Sequence, residues 1–250
     1  MVRGFYAAGS GMLANSRKLD IAAGNIANSR TSGYKRDKAV SSAFQERLVL
    51  KMDSAAPSET QQIGSVSQGQ TIGSVYTSFE QGAIVETGNI FDLAISGEGF
   101  FSVLSADNTV LYTRNGEFCL DRNGYIADSA GGLLLGQNGP INTRGMAFDV
   151  SPDGVVSVDG TPVDRLAIYC PENNDALVRR DRGFAATAAA GQRPFTGSVF
   201  QGCIEASNAD MLDEMMAIIQ SQRSFQSCSQ AVRMIDATLQ KAVELSRMNV

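Results

Sequence analysis

An α+β fold is predicted, with a β-rich central domain of irregular sandwich or barrel form between long N- and C-terminal helices that pair as a coiled-coil-like inner domain. Three observations predict it. Apolar and small residues recur at 3–4 spacing near both ends of the chain, short β-forming runs fill the middle, and Asn-Gly and Asp-Gly pairs punctuate those runs.

The first helix is expected from about Arg3 to Asn28. Its stripe runs through Phe5, Ala8, Met12, Asn15, Leu19, Ala22 and Ile26. Gly9, Gly11 and Gly24 fall inside it, each costing about 1 kcal/mol relative to Ala. Such a segment needs neighbours to hold it, and its small residues would let another helix approach closely. Asn25, Asn28 and Thr31-Ser32-Gly33 end it with turn formers, Gly33 suiting a left-handed position. Lys35, Arg36 and Lys38 then read as a solvated exit turn.

Residues 34–75 are expected to be an extended connector or long hairpin. Phe44, Leu48, Val49 and Leu50 stand amid charges there, and Ser54 to Gly73 is rich in Ser, Gln and Gly. Strand signals begin at about Val75. They cover Leu93–Ile95, Phe100–Leu104, Val110–Thr113, Phe118–Leu120, Tyr125–Ala127 and Val155–Val158, separated by Asn115-Gly116, Asn123-Gly124, Asn138-Gly139, Asp153-Gly154 and Asp159-Gly160. Asn-Gly between β-formers is the strongest local hairpin signal. Strands this short and this dense make a sandwich or irregular barrel, placed at residues 76–205.

The last helix should start at Ser207-Asn208-Ala209-Asp210, which fits a capping box. Its stripe is Leu212, Met215, Ile219, Gln222, Phe225, Cys228, Val232, Ile235, Leu239 and Ala242, with one irregular step around Gln222. From Ala209 to Arg247 it would be about 58 Å long at about 1.5 Å per residue. A domain of this size needs no such helix for its own core. The organisation is therefore an N-terminal helix over residues 1–33, the connector, the β-domain, and a C-terminal helix over residues 206–250. The stripes point to intermolecular packing. The candidate assembly interface is Phe5, Met12, Asn15, Leu19, Ile26, Leu212, Met215, Ile219, Gln222, Phe225, Val232, Ile235 and Leu239.

Composition narrows the chemistry. With 21 basic and 26 acidic residues the net charge is −5, and no basic stripe suggests nucleic acid. No apolar run approaches the ~20 residues of a membrane span. The N-terminus carries one positive charge but no sustained apolar segment, unlike a secretory signal. Cys119, Cys170, Cys203 and Cys228 are far apart and read as free thiols, not as a zinc site. Histidine is absent, which removes the commonest general base and metal ligand together. Asp121 to Ile126 resembles a calcium loop only superficially, because its glycine comes two positions early and Gly132 replaces the bidentate Glu. Gly97-Glu98-Gly99 lacks the helix that a phosphate loop needs. Glu80, Glu86, Asp92 and Glu98 could pair as acid and base, but nothing selects them among 26 acids. No catalytic residue, metal ligand or cofactor is expected.

Ser10-Gly11-Met12-Leu13, Leu19 through Asn28 and Thr31-Ser32-Gly33-Tyr34-Lys35 form one block of motifs near the N-terminus. Thr87-Gly88-Asn89, Leu93-Ala94-Ile95, Gly97 to Phe101 and Tyr112 to Gly116 form a second, and Ser207 to Asp210, Glu214-Met215, Gln222-Arg223-Ser224-Phe225 and Leu239-Gln240 a third. In that order they resemble the N-terminal signature, central β-domain and C-terminal motif of the flagellar basal-body rod and hook protein family. Asn28-Ser29 stands where that family usually shows Asn-Thr. The resemblance implies an axial protein exported unfolded through the flagellar type III apparatus. It implies terminal helices paired in a tubular inner layer with the β-domain outside. The implied place is the basal body, beyond the cytoplasmic membrane. The implied partners are copies of the chain, adjacent rod and hook proteins, the export apparatus and ring (bushing) proteins. The chain is too short for a typical hook protein, which carries extra outer domains. Two other classes fit parts of the sequence. A cell-wall glycan hydrolase would use the spare carboxylates, and a coiled-coil adhesin or tail-fibre subunit would use the helical ends.

Overall fold

The structure is a computed structural model that describes residues 2–43, 47–51, 61–66, 69–180, 183–187 and 191–248. Phe44, parts of the Ser54–Gly73 connector and residues 188–190 lie outside the described residues. The chain forms two compact units. One comprises residues 1–26, 37–77 and 211–250, and the other residues 27–36 and 78–210.

The first unit holds both long helices, α1 (Val2–Ala27) and α2 (Met211–Met248). It also holds β1 (Asp37–Ala43), β2 (Arg47–Lys51), β3 (Gln61–Val66) and β4 (Gln70–Thr77). β1 pairs antiparallel with β4, Asp37 opposite Thr77, and β2 pairs antiparallel with β3. The described parts of the connector thus form two antiparallel ladders, with irregularities at Val40/Ser41 and Val49/Leu50. Helix α1 buries a line of small and amide side chains: Gly11, Ala14, Asn15, Ala22 and Asn25. Its four glycines make it a weak helix by propensity, so tertiary contacts sustain it. Helix α2 begins at Met211 with Asp213 and Glu214 in its first turn, the sign its dipole favours. Asn208 is not spent on a cap. Its amide nitrogen donates to the Ser78 and Glu80 carbonyls, and its amide oxygen accepts from the Arg36 backbone N–H.

The second unit carries β5 (Ile84–Glu86), β6 (Leu93–Ser96), β7 (Phe100–Leu104), β8 (Val110–Thr113), β9 (Phe118–Leu120), β10 (Ile126–Asp128) and β11 (Leu133–Gly136). A ten-stranded sheet runs in the order Leu177–Arg180, Gly183–Ala186, β8, β7, β11, β10, β9 along its main path. A three-stranded sheet is made by Phe148–Val150, Val155–Val158 and Thr161–Arg165. β6 pairs with Ser198–Gln201, and β5 pairs with Cys203–Glu205. The sheets are open, so the barrel half of the expectation is corrected. The core lies between them, where Leu93, Ile95, Phe101, Ile126, Leu134, Val156 and Val199 lose nearly all contact with water.

Most Asn-Gly and Asp-Gly pairs turn hairpins. Gly124 caps the β9–β10 connection, where its N–H donates to the Asp121 carbonyl, and Asp159-Gly160 joins Val155–Val158 to Thr161–Arg165. Asn115-Gly116 is the exception. β8 pairs with β7 and with Gly183–Ala186, whereas β9 pairs with β10, so the two strands flanking Gly116 are not a hairpin. Gly116 passes so close to β6 that a Cβ there would collide with the Leu93 carbonyl oxygen. The glycine serves close approach instead of a turn.

Candidate assembly interface

The two helices of the first unit meet in one antiparallel register. A Cβ placed on Gly4 would lie 3.4 Å from Ile235 Cδ1, and one on Gly11 would lie 3.1 Å from Cys228 Sγ. At the other end, Asn25 Nδ2 donates to Glu214 Oε1 at 3.1 Å. From Gly4 to Gly11 is one heptad forward on α1, and Ile235 to Cys228 is one heptad back on α2. From Gly11 to Asn25 and from Cys228 to Glu214 is two heptads each. Heptad spacing through these three contacts places Gly4, Ala7, Gly11, Ala14, Lys18, Ile21 and Asn25 on one line of α1, exposed at Gly4 and Ala7 and buried or half-buried from Gly11 on. Facing it on α2 are Ile235, Val232, Cys228, Phe225, Ser221, Ile218 and Glu214, each buried or half-buried.

The residues expected from sequence fall on both sides of this line. Phe225, Val232 and Ile235 belong to it. Leu212, Met215, Ile219 and Gln222 stand one position further round α2 and are exposed, Leu212 to 71%. The irregular step at Gln222 is where two different faces of α2 are joined. Before it the apolar stripe points away from α1, and after it the stripe faces α1. On α1, Asn15 is buried, Met12, Leu19 and Ile26 are half-buried, and Phe5 is exposed together with Tyr6 and Leu13. The sequence reading missed Gly4, Asn25 and Glu214, although the glycines had signalled close helix approach.

α2 also runs past the end of its partner. Gly4 faces Ile235, and α1 starts at Val2, so the last ten residues or so of α2, about 15 Å, extend beyond α1. Leu239, Val243 and Leu245 are exposed there.

In the second unit, the expected solvated turn at Lys35 is corrected. Lys35 is 1% exposed. Its Nζ donates to Glu205 Oε1 at 2.6 Å and to the Glu80 carbonyl at 2.7 Å. Arg114 Nη1 donates to the other Glu205 oxygen at 2.8 Å, and the Gly82 N–H donates to Oε1 at 2.9 Å. Burial pushes the Lys35 ammonium below its usual value, against the opposing pull of Glu205. Gly33, left-handed as expected, donates its N–H to the Glu205 carbonyl, with Arg114 backbone where a side chain would stand. The cluster closes the unit by binding residues 33–35 to the strand before α2. It faces no cavity.

The candidate acids do not converge. Asp92 accepts from Thr87 Oγ1 and Asn89 Nδ2 within its own turn, while Glu98 forms an exposed pair with Arg193 at 2.9 Å. Among the described residues no three His, Cys, Asp or Glu side chains gather as a metal site.

Both chain ends thus form one unit together with residues 37–77, and residues 27–36 and 78–210 form the other, β-rich one. Three family descriptions match this chain in order. "Flagella basal body rod protein" covers residues 5–35, "Flagellar hook protein FlgE/F/G D1 domain" covers 94–158, and "Flagellar basal body rod FlgEFG protein C-terminal" covers 201–245. The chain is 32% identical to the flagellar basal-body rod protein FlgG of Bacillus subtilis, over 99% of this chain and 100% of that one. It is 32% identical to the rod protein FlgF of Caulobacter vibrioides, over 94% and 91%. To the flagellar hook-basal body complex protein FlhO of Bacillus subtilis it is 29% identical, over 97% of each. The chain belongs to the flagellar basal-body rod protein family. It is a structural subunit of the flagellar basal body and not an enzyme.

Proposed function

We propose that α1 and α2 pair as a coiled-coil-like inner domain and that copies of this chain stack through it into a tubular drive shaft. That shaft carries torque from motor to hook. The single observation that carries this reading is the register of the two helices. It leaves Leu212, Met215 and Ile219 exposed on one face of α2, and Leu239 and Val243 exposed on the overhang. A folded monomer rarely displays such a run, and neighbouring subunits are what would cover it. The distal rod is the favoured position, with the proximal rod next. The relatives named FlgG, the chain length and the Thr87 to Phe101 segment support that choice. Adjacent rod and hook proteins would be the end-on partners, ring proteins would surround the shaft, and the type III apparatus would deliver the unfolded chain.

Ile219→Asp tests the reading in cells. The chain should be made and exported, and its helical pairing should survive, because Ile219 lies off the α1-facing line. Axial growth should stop before the hook, with loss of motility. Normal rods in cells carrying Ile219→Asp would overturn the proposed interface.

A further inference from the structure

We infer that Asn25 sets the register of α1 against α2. It is 1% exposed and lies on the contact line. Its amide nitrogen donates to Glu214 Oε1 at 3.1 Å and to the Asp37 carbonyl at 2.9 Å, and its amide oxygen accepts from the Asp37 backbone N–H at 3.0 Å. One side chain thus ties the last turn of α1 to the first turn of α2 and to the first residue of β1.

The remaining contacts say little about register. Along α1 the line offers Gly4, Ala7, Gly11, Ala14 and Lys18, and only Ile21 is large and apolar. Glycine and alanine supply no knob for a particular hole, so they fit equally well one heptad away. Heptad spacing defines one competing alignment. Moved by one heptad, Lys18 would stand beside Glu214 and Gly4 beside Cys228. The ion pair would favour that alignment, and the Asn25–Glu214 bond opposes it. A buried amide that selects one helix alignment over others is a known use of polar groups in helical seams. The choice matters because register decides which face of α2 stays exposed and how far its end overhangs. The inference rests on contacts within one chain and stands whether or not the proposed interface does.

Cys228 is the only cysteine in this unit and can report the register directly. In the purified full-length chain under mild oxidation, Gly11→Cys should form an intrachain disulfide with Cys228, and Gly4→Cys should not. Adding Asn25→Leu should raise the Gly4→Cys product relative to the Gly11→Cys product by about tenfold or more, the worth of one buried hydrogen bond to a charged acceptor. Glu214→Gln keeps an acceptor for the Asn25 amide and should preserve the parent pattern. Products are read as fast-migrating bands on non-reducing gels and by peptide mass, with helix content followed by circular dichroism. Three results would overturn the inference. The first is no Gly11→Cys disulfide with Asn25 intact. The second is an unchanged product ratio in Asn25→Leu. The third is loss of helix in Asn25→Leu, since Asn25 would then be needed for pairing itself and not for the choice of register.

Discussion

Lys35 and Glu205, 170 positions apart in the chain, meet at 2.6 Å with both side chains 1% exposed. The contact fastens the segment leaving α1 to the strand that precedes α2. Arg114 completes the cluster from the β8 end, so one carboxylate serves two cations.

Glu205→Gln leaves two buried cations without a counter-charge. It should cost about 3–5 kcal/mol, read as a lowered urea midpoint for the β-rich unit by tyrosine fluorescence. The cluster also predicts a pH dependence. Burial holds the folded-state value of Lys35 below its usual 10.5. Between that lowered value and 10.5 the unfolded chain therefore binds more protons than the folded one. Stability carried by this group rises with pH across that window and is lowest beneath it. Lys35→Met should remove the rise. Identical alkaline slopes in parent and variant would show that Lys35 keeps its ordinary affinity for protons.

The glycines of α1 should divide by environment. Around Gly9 and Gly24 a new Cβ would meet nothing within 4 Å, so alanine at either position should raise helix stability by about 1 kcal/mol. At Gly11 the same Cβ would press on Cys228 Sγ at 3.1 Å, and Gly11→Val should force the helices apart. Thermal melts followed at 222 nm measure all three. A melting point in Gly11→Val as high as in Gly9→Ala would contradict the close approach.

Phe225 and Ile219 should separate pairing from assembly. Phe225 lies on the α1-facing line, and Phe225→Ala should lower helical stability by about 2–5 kcal/mol in the isolated chain. Ile219→Ala should leave that melt unchanged and reduce rod formation instead. The melting transition of the β-rich unit should be the same in both variants. Equal melts for the two alanine variants would place both residues on one face and refute the two-face reading of α2.

The comparison of sequence with structure turns on particular elements. β7, β8, β9 and Val155–Val158 stand where apolar runs between turn pairs placed them, because side-chain alternation and turn chemistry are local. The long helices were legible from 3–4 periodicity for the same reason. Asn115-Gly116 misled because the dipeptide permits a tight turn and a close approach equally, and only the partner strand distinguishes them. Lys35 misled more. A lysine after a helix is solvated unless a carboxylate from far along the chain arrives to bury it, and nothing within ten residues announces Glu205.

The sequence by itself determined the two long helices, most strands of the β-rich middle and, through three ordered motifs, the family. It also contained the break at Gln222, since period is a property of the chain alone. Which face of each helix meets the other was decided only in the folded state. A heptad repeat states that a stripe needs a partner, but Gly4, Ala7, Gly11 and Ala14 offer that partner no distinguishing shape. The phase is set by Asn25 reaching Glu214 and Asp37, contacts between residues that only tertiary structure brings together.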